Sequence, residues 1–261
     1  MNSALHIVIA LRGTKSILQH AYVTPPFKVV PLPQYDAAMP LQLMLMSSSP
    51  GMMDGDMWDI QVTCGEHTRT KLQTQSYQRI FPAKQGAHQK AVYTLEQGAH
   101  LQYIPHPLVP HADAILHAEN NIYLADDCTL VWGEVLTCGR KLNGEIFHLT
   151  SLHNETRVYH QQNIIFIDKQ IIQPKRIPIH AFGQYEQYTH QASLLYFDTH
   201  QQPNLPVDTL HELLATKENI AFGVSKTARN GLVVRLLGNG AEQLFSTLQQ
   251  LSTLLQAKTY A

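Results

Sequence analysis

The chain has 261 residues, a formal net charge of −1, 44% hydrophobic residues and only 15% charged ones. That length suits one large β domain or two smaller ones, with enough apolar residues for a packed core. Charge is well below the roughly 25% of an average soluble protein, and no run of Lys or Arg occurs, which argues against nucleic acid as the main partner, since neutralising phosphates needs clustered cations.

A thinly charged surface either is partly buried against partners or reflects a preference for Gln over Lys and Glu. Cys64, Cys128 and Cys138 are too few and too odd in number for a disulfide framework. No basic stretch precedes an apolar core near residue 1, and no apolar run approaches ~18 residues. The expectation is a soluble cytoplasmic protein with no membrane span.

From residue 5 to about 193 the chain reads as many short strands. Leu41, Leu43 and Leu45 alternate with Gln42, Met44 and Met46; Trp58, Ile60 and Val62 alternate with Met57, Asp59 and Gln61. Ala91, Tyr93 and Leu95 alternate with Val92 and Thr94. Period two is the strand signal. Pro50 and Gly51, Gly55 and Asp56, Gly65 and Glu66, Gly86, Gly98, Asn120 and Asn121, and Asn143 with Gly144 supply the turns. No internal repeat supports a propeller or a regular solenoid.

Residues 128–138 are apolar on both faces, as in a strand covered on both sides. Leu130, Trp132 and Leu136 share one parity; Val131, Gly133 and Val135 share the other. Glu134 breaks the first face. A carboxylate there pairs with Arg140 or another base, lines a polar site or channel, or lies exposed at a strand end.

After about residue 200 the pattern changes. Residues 207–217 predict a short helix behind Pro206, with Asp208 in its first turn. Residues 220–226 and 232–237 predict a strand pair joined through Asn230 and Gly231. Residues 241–256 predict a helix with Leu244, Leu248, Leu251 and Leu255 on one face and Phe245 and Leu254 beside it. No flexible linker separates the regions. The expected organisation is one domain over 1–261, a β-rich body (1–200) carrying a helix–strand–strand–helix tail (201–261).

Asp54, Asp56 and Asp59 cluster beside a glycine turn. An EF-hand needs a longer ligand series, so a turn-ordering role is preferred. Fifteen histidines are scattered, without zinc-like spacing. His106, His111 and His117 flank one Pro-rich segment but read as solvated loop residues rather than a three-His site. Gly238 and Gly240 lack the third glycine and βαβ frame of a dinucleotide fingerprint. Neither a Gly-x-Ser-x-Gly elbow nor a Walker A loop is present.

Taken together, several small motifs in order resemble the UreD/UreH family of urease accessory proteins. Asp54, Gly55 and Asp56 stand where the family has a Gly-Gly-Asp turn. Thr74 and Gln75 match its Thr-Gln pair, followed by Arg79 where Lys is usual. Pro105, Pro107, Pro110, Ala112 and Ala114 match its Pro-rich segment, with His111 at the aromatic position. Glu134, then Gly139 and Arg140, then Gly144, Glu145 and Phe147 match in spacing. Lys175 and Arg176 depart from the family, lying near where many members carry an acid.

The resemblance implies a mainly β fold, an irregular β-helix-like stack of short strands with two α-helices near the C-terminus. It implies a scaffold rather than an enzyme. The implied partners are a UreF-type helical accessory protein, a UreG-type GTPase and the urease apoprotein. No tightly bound cofactor is implied, only transient nickel in a polar internal tunnel. Asp56 and Glu134 are the residues to carry over to that tunnel as weak nickel sites, with Glu145 a further acid on the route. Gly55, Thr74, Gln75, Arg79, Pro110, Gly139, Arg140 and Gly144 are its structural motif. The rival reading is a β-helical carbohydrate-active enzyme using an Asp/Glu pair.

Overall fold

The computed structural model describes residues 1–36, 39–201 and 205–259, with side chains as far as 256. The strands in chain order are β1 (Asn2–Arg12), β2 (Lys15–Val23), β3 (Phe27–Pro31), β4 (Leu41–Ser47), β5 (Met57–Cys64) and β6 (Arg69–Thr74). Then come β7 (Gln78–Ile80), β8 (Ala87–Leu95), β9 (His100–Tyr103), β10 (Leu108–Pro110), β11 (Ile115–Leu124) and β12 (Thr129–Leu136). The chain continues through β13 (Ser151–His160), β14 (Asn163–Ile172), β15 (His190–Asp198), helix α1 (Val207–Ala215), β16 (Ala221–Lys226), β17 (Gly231–Gly238) and helix α2 (Ala241–Thr259).

These strands build two facing sheets. The seven-stranded sheet runs β14-β13-β11-β8-β5-β1-β2, and the ten-stranded sheet runs β16-β17-β15-β12-β9-β6-β4-β3, with β7 and β10 attached beside β12. Successive strands alternate between the sheets: β5 lies in the first, β6 in the second, β8 in the first, β9 in the second, β11 in the first, β12 in the second. Each new turn stacks parallel on the last, β5 on β1, β8 on β5 and β11 on β8 in one sheet, β6 on β4 and β9 on β6 in the other. This is the irregular β-helix-like stack. Its sheets stay open, and the flanking strands β2, β14, β3 and β15 pair antiparallel.

The alternation in the sequence sets which residues face inward. Leu41, Leu43, Leu45, Ile60, Val62, Ala91, Tyr93 and Leu95 are buried in one core between the sheets. Their alternates face outward or are half-buried. Strand β12 is covered twice, as its two apolar parities require. Leu130 and Trp132 pack into the core between the sheets, and Val131 and Val135 into a second core beneath the helices.

The tail extends the body rather than sitting beside it. Strands β17 and β16 continue the ten-stranded sheet beyond β15. Helix α1 ends at Ala215, two residues short of the expected 217. There the Thr216 hydroxyl donates back to the Leu213 carbonyl at 2.7 Å. Helix α2 lays Leu244, Leu248, Leu251 and Leu255, all fully buried, over β12, β15 and β17. Close approach needs Gly133, because a Cβ there would stand 3.0 Å from Ile104 and 3.2 Å from Leu248. The apolar shoulder of α2 is also used internally, since Phe245 stacks on His106 with ring centroids 4.7 Å apart.

Leu248→Ala is expected to cost about 2–5 kcal/mol, the range for opening a cavity at a buried leucine. Gln249→Ala, on the exposed face of the same helix, should stay within about 0.5 kcal/mol of wild type. Urea denaturation midpoints check both values.

Candidate functional site

Between the sheets the apolar core is interrupted by a polar strip. It begins at Glu134 on β12. The Glu134 carboxylate accepts three hydrogen bonds: Trp132 Nε1 at 2.9 Å, Asn154 Nδ2 at 2.7 Å and the Thr156 hydroxyl at 3.2 Å. Asn154 and Thr156 reach it from β13 of the opposite sheet. Asn120 on β11 donates to Asn154 Oδ1 and to Thr156 at 3.2 and 3.1 Å, and Gln89 on β8 donates to Asn120 at 3.4 Å. The in-register parallel pairing of β8, β11 and β13 aligns these inward side chains into one chain of amides.

No ion pair reaches Glu134 among the described residues. Arg140, its expected partner, pairs with Glu145 instead. Asp168 on β14 lies on the same side but is bound to Arg235 at 2.8 Å. Burial therefore raises the Glu134 pKa, the Asp168 charge adds to the rise, and the three donors oppose it. Its one open face lines a cavity of about 90 Å³ together with Gln78, Gln89, Tyr103, His106 and Asn120. A water needs roughly 10–15 Å³ of such space and 2–4 polar partners, so the cavity accommodates several. A second cavity of about 150 Å³ shares Gln78, Gln89 and Tyr103 as its wall and continues to Ser47, Ser49, Thr74, Gln75, Tyr77 and Arg79.

The structure thus brings Glu134 and the motif residues Thr74, Gln75 and Arg79 to two adjoining cavities. Thr74 is fixed there by His106, whose backbone N–H donates to the Thr74 hydroxyl at 2.8 Å. Tyr77 donates its hydroxyl to Glu242 at the start of α2. No sequence pattern pointed to Gln78, Gln89, Asn154 or His106 as wall residues, and Asn120 and Asn121, expected to form a turn, lie instead in the middle of β11, where Asn120 points inward and is buried. The only available signal was polar residues at the buried parity of strands.

The other acids stand elsewhere. Asp56 does not line either cavity, contrary to the expectation that it shares a passage with Glu134. Its Oδ2 accepts the Met53 N–H at 2.9 Å and its Oδ1 the Met1 amino group at 2.9 Å. Its carboxylate closes the turn that Gly55 makes at φ +76°. Asp54 accepts from the backbone N–H groups of Gln85 and Gly86, and Asp59 pairs with His6 at 2.8 Å. Asp54 and Asp56 therefore order the turn, while Asp59 joins adjacent strands through His6.

Glu145 is likewise absent from the cavity walls. It is held by Arg140 and by the Ala112 N–H at 3.2 Å, and the Arg140 hydrogen bond keeps its pKa below the ordinary carboxylate value. This pair braces the loop after β12. Gly139 there has φ +122°, and a Cβ would meet the Pro110 carbonyl at 2.9 Å; Gly144 turns the loop at φ +80°. Pro110, Gly139, Arg140 and Gly144 thus shape one structural knot that seats Phe147 in the core. The three histidines of the Pro-rich segment separate. His106 faces the cavity, His111 is buried against Phe81 and His117 stands on a different strand, β11.

The raised Glu134 pKa has a definite sign in stability. Protonated Glu134 is favoured by the fold, so its contribution is complete below the ordinary value of 4.5 and is lost as pH climbs through the higher folded value. The unfolding free energy of Glu134→Gln minus that of wild type is expected to increase from about pH 4.5 towards neutrality. A flat or falling difference in urea melts across that range would contradict the assignment.

Comparison with known proteins agrees with the architecture. The family model described as UreD urease accessory protein matches residues 1–261. Urease accessory protein UreD of Flavobacterium johnsoniae is 38% identical over 252 residues, covering 96% of this chain and 91% of the relative. The protein of the same name from Acetivibrio thermocellus is 36% identical over 255 residues, covering 97% of each chain. That of Haemophilus influenzae is 32% identical over 270 residues, covering 98% of this chain and the whole relative. On the strength of this near full-length likeness, the chain belongs to the UreD family of urease accessory proteins.

Proposed function

We propose that this protein is a maturation scaffold that binds apo-urease, a UreF-type helical protein and a UreG-type GTPase, and passes nickel through the polar strip between its sheets. The observation that carries this reading is Glu134, a carboxyl group with no ion pair among the described residues that lines a cavity of about 90 Å³ in an otherwise apolar core. Its neighbours, amide oxygens, an imidazole and water-sized space, are ligands that suit weak, exchangeable coordination of a divalent ion. Nickel is cargo here. A cation arriving at Glu134 meets a carboxyl group whose charge is otherwise disfavoured by burial. The motif residues Thr74, Gln75 and Arg79 serve as one mouth, with Tyr77 tying that mouth to α2.

Asp56 and Glu145 act at a distance from this route by holding the turns on either side. The exposed face of α2, with Gln243, Gln249, Gln250 and Thr253, contacts the helical partner. The apolar shoulder of α2 is occupied internally, because Phe245 packs on His106. Truncation from Thr247 would remove three core leucines, so point changes on the exposed face are the proper probe.

The carbohydrate-active reading finds less support. Its acids are dispersed: Asp56 and Glu145 are engaged in turns, and neither lines the cavity beside Glu134. The scaffold reading requires that the purified chain hydrolyse neither urea, nucleotides nor glycans. Turnover that a point mutation in this chain abolishes would reverse it.

The decisive measurement combines pull-down with urease activation. Glu134→Leu should fold, because it replaces a desolvated charge with an apolar group. It should retain the three partners yet lose most nickel-dependent activation. Gln249→Arg with Thr253→Arg should instead weaken capture of the helical partner. Full activation by Glu134→Leu would remove Glu134 from the nickel route.

A further inference from the structure

Strand β14 is the outermost strand of the seven-stranded sheet at one edge. It pairs antiparallel with β13 on one side and with no strand on the other among the described residues. Its sequence, Asn-Ile-Ile-Phe-Ile-Asp-Lys-Gln-Ile-Ile, is rich in β-branched residues. Its inward side is engaged. Phe166 meets Phe197 in the core with ring centroids 5.6 Å apart, Asp168 binds Arg235 at 2.8 Å, Gln170 lines the Glu134 cavity and Ile172 is buried. Its outward side is bare. Ile167 and Ile171 are 51% and 40% exposed, and the Lys169 side chain between them is 58% exposed.

The other sheet edges are closed or short. Strand β2 folds against β3 and β4 of the second sheet. Strand β3 has five residues and ends at Pro31, and β16 has six, with Gly223 inside it. Strand β14 has ten, and residues 166–172 pair with β13 without a break.

We propose that this edge receives an extended segment of another protein as an added strand, one that carries an acidic residue opposite Lys169 and apolar β-branched residues two positions to either side of that acid. Strand addition supplies main-chain hydrogen bonds, and side chains at alternate positions supply the selectivity. An open edge presents a row of unpaired N–H and C=O groups to such a segment. Ile167 and Ile171 offer apolar cross-strand contacts. Lys169 selects the charge. Its ion-pair partner Glu155, at 3.6 Å, is shared with Arg157, which leaves the exposed ammonium capacity for a second carboxylate.

A second copy of this chain is a poor occupant. Strand β14 carries an extra residue, Ile165, where its register with β13 shifts, and such a bulge ends regular pairing. An antiparallel two-fold that pairs all of residues 166–172 sets Lys169 against its own copy, and so does parallel pairing in register. Like charges directly opposite are destabilising. A bulge and an edge lysine are devices by which sheets avoid pairing with themselves. Neither bars a strand that brings an acid to that place. The proposal does not depend on the role given to Glu134.

The test uses the full-length protein and the acetylated, amidated peptide Thr-Val-Thr-Glu-Thr-Val-Thr, whose pattern is the same read in either direction. Val, Glu and Val then face Ile167, Lys169 and Ile171, and Thr stands on the side of Asp168 and Gln170. NMR follows amide exchange and chemical shifts. In an antiparallel edge strand alternate amides point to the open side. Alternate amides among residues 166–172 should therefore exchange fast in the protein alone and slow several-fold with millimolar peptide. The same peptide with Lys in place of Glu should bind at least about threefold more weakly, and Lys169→Glu should reverse that order. No slowing in β14, slowing at β2 or β16 instead, or equal binding of the two peptides would overturn the proposal. So would concentration-dependent protection of the same amides without peptide, which would assign the edge to a second copy. If Lys169→Glu does not fold, the two peptides compared on the unaltered chain decide the matter.

Discussion

The structure depends on strand β12 being buried on both faces. One face closes the core between the sheets through Leu130 and Trp132, and the other seats α2 through Val131, Gly133 and Val135. On a strand so placed a charged group is costly to bury without hydrogen-bond partners. Glu134 is the only ionisable residue on this strand. The opposite sheet answers it with Asn154 and Thr156, supported by Asn120 and Gln89. The polar strip follows from this requirement. One carboxylate in the wall of an apolar sandwich recruits a line of amides across three parallel strands.

The winding of the chain makes that line possible. Because each coil adds one strand to each sheet in register, residues at equivalent positions in successive coils become lateral neighbours. On the inner face this aligns Gln89 beside Ala118 and Asn120 beside Thr156. On the outer face the same register aligns His88, His117 and His153. Parallel stacking therefore turns isolated polar residues, far apart in sequence, into rows. The inward row is satisfied by hydrogen bonding; the outward row packs ring against ring.

Rigid closure at the edges supports both rows. The loop knot of Gly139, Arg140, Glu145 and Phe147 fixes the exit from β12, while Asp54 and Asp56 fix the entry to β5. These residues carry much of the family's motif, and they act through backbone geometry rather than through the cavity. The pair formed by Tyr77 and Glu242 and the stacking of His106 on Phe245 connect the cavity mouth to α2.

The sequence by itself determined the strands, because alternation at period two is a local property of side-chain burial. It also determined the double coverage of β12, the oddity of Glu134, the terminal leucine helix and, through ordered small motifs, the family. It picked out Thr74, Gln75 and Arg79 as a structural motif, and the fold sets them together in the wall of one cavity. It did not separate the acids. Asp56, Glu134 and Glu145 look alike as motif residues, and only the tertiary structure left Glu134 beside the cavity while engaging the others in turns. The amide strip and the histidine row were equally hidden. Their members lie tens of positions apart, and their proximity comes from strand register, a non-local quantity fixed only when successive coils stack.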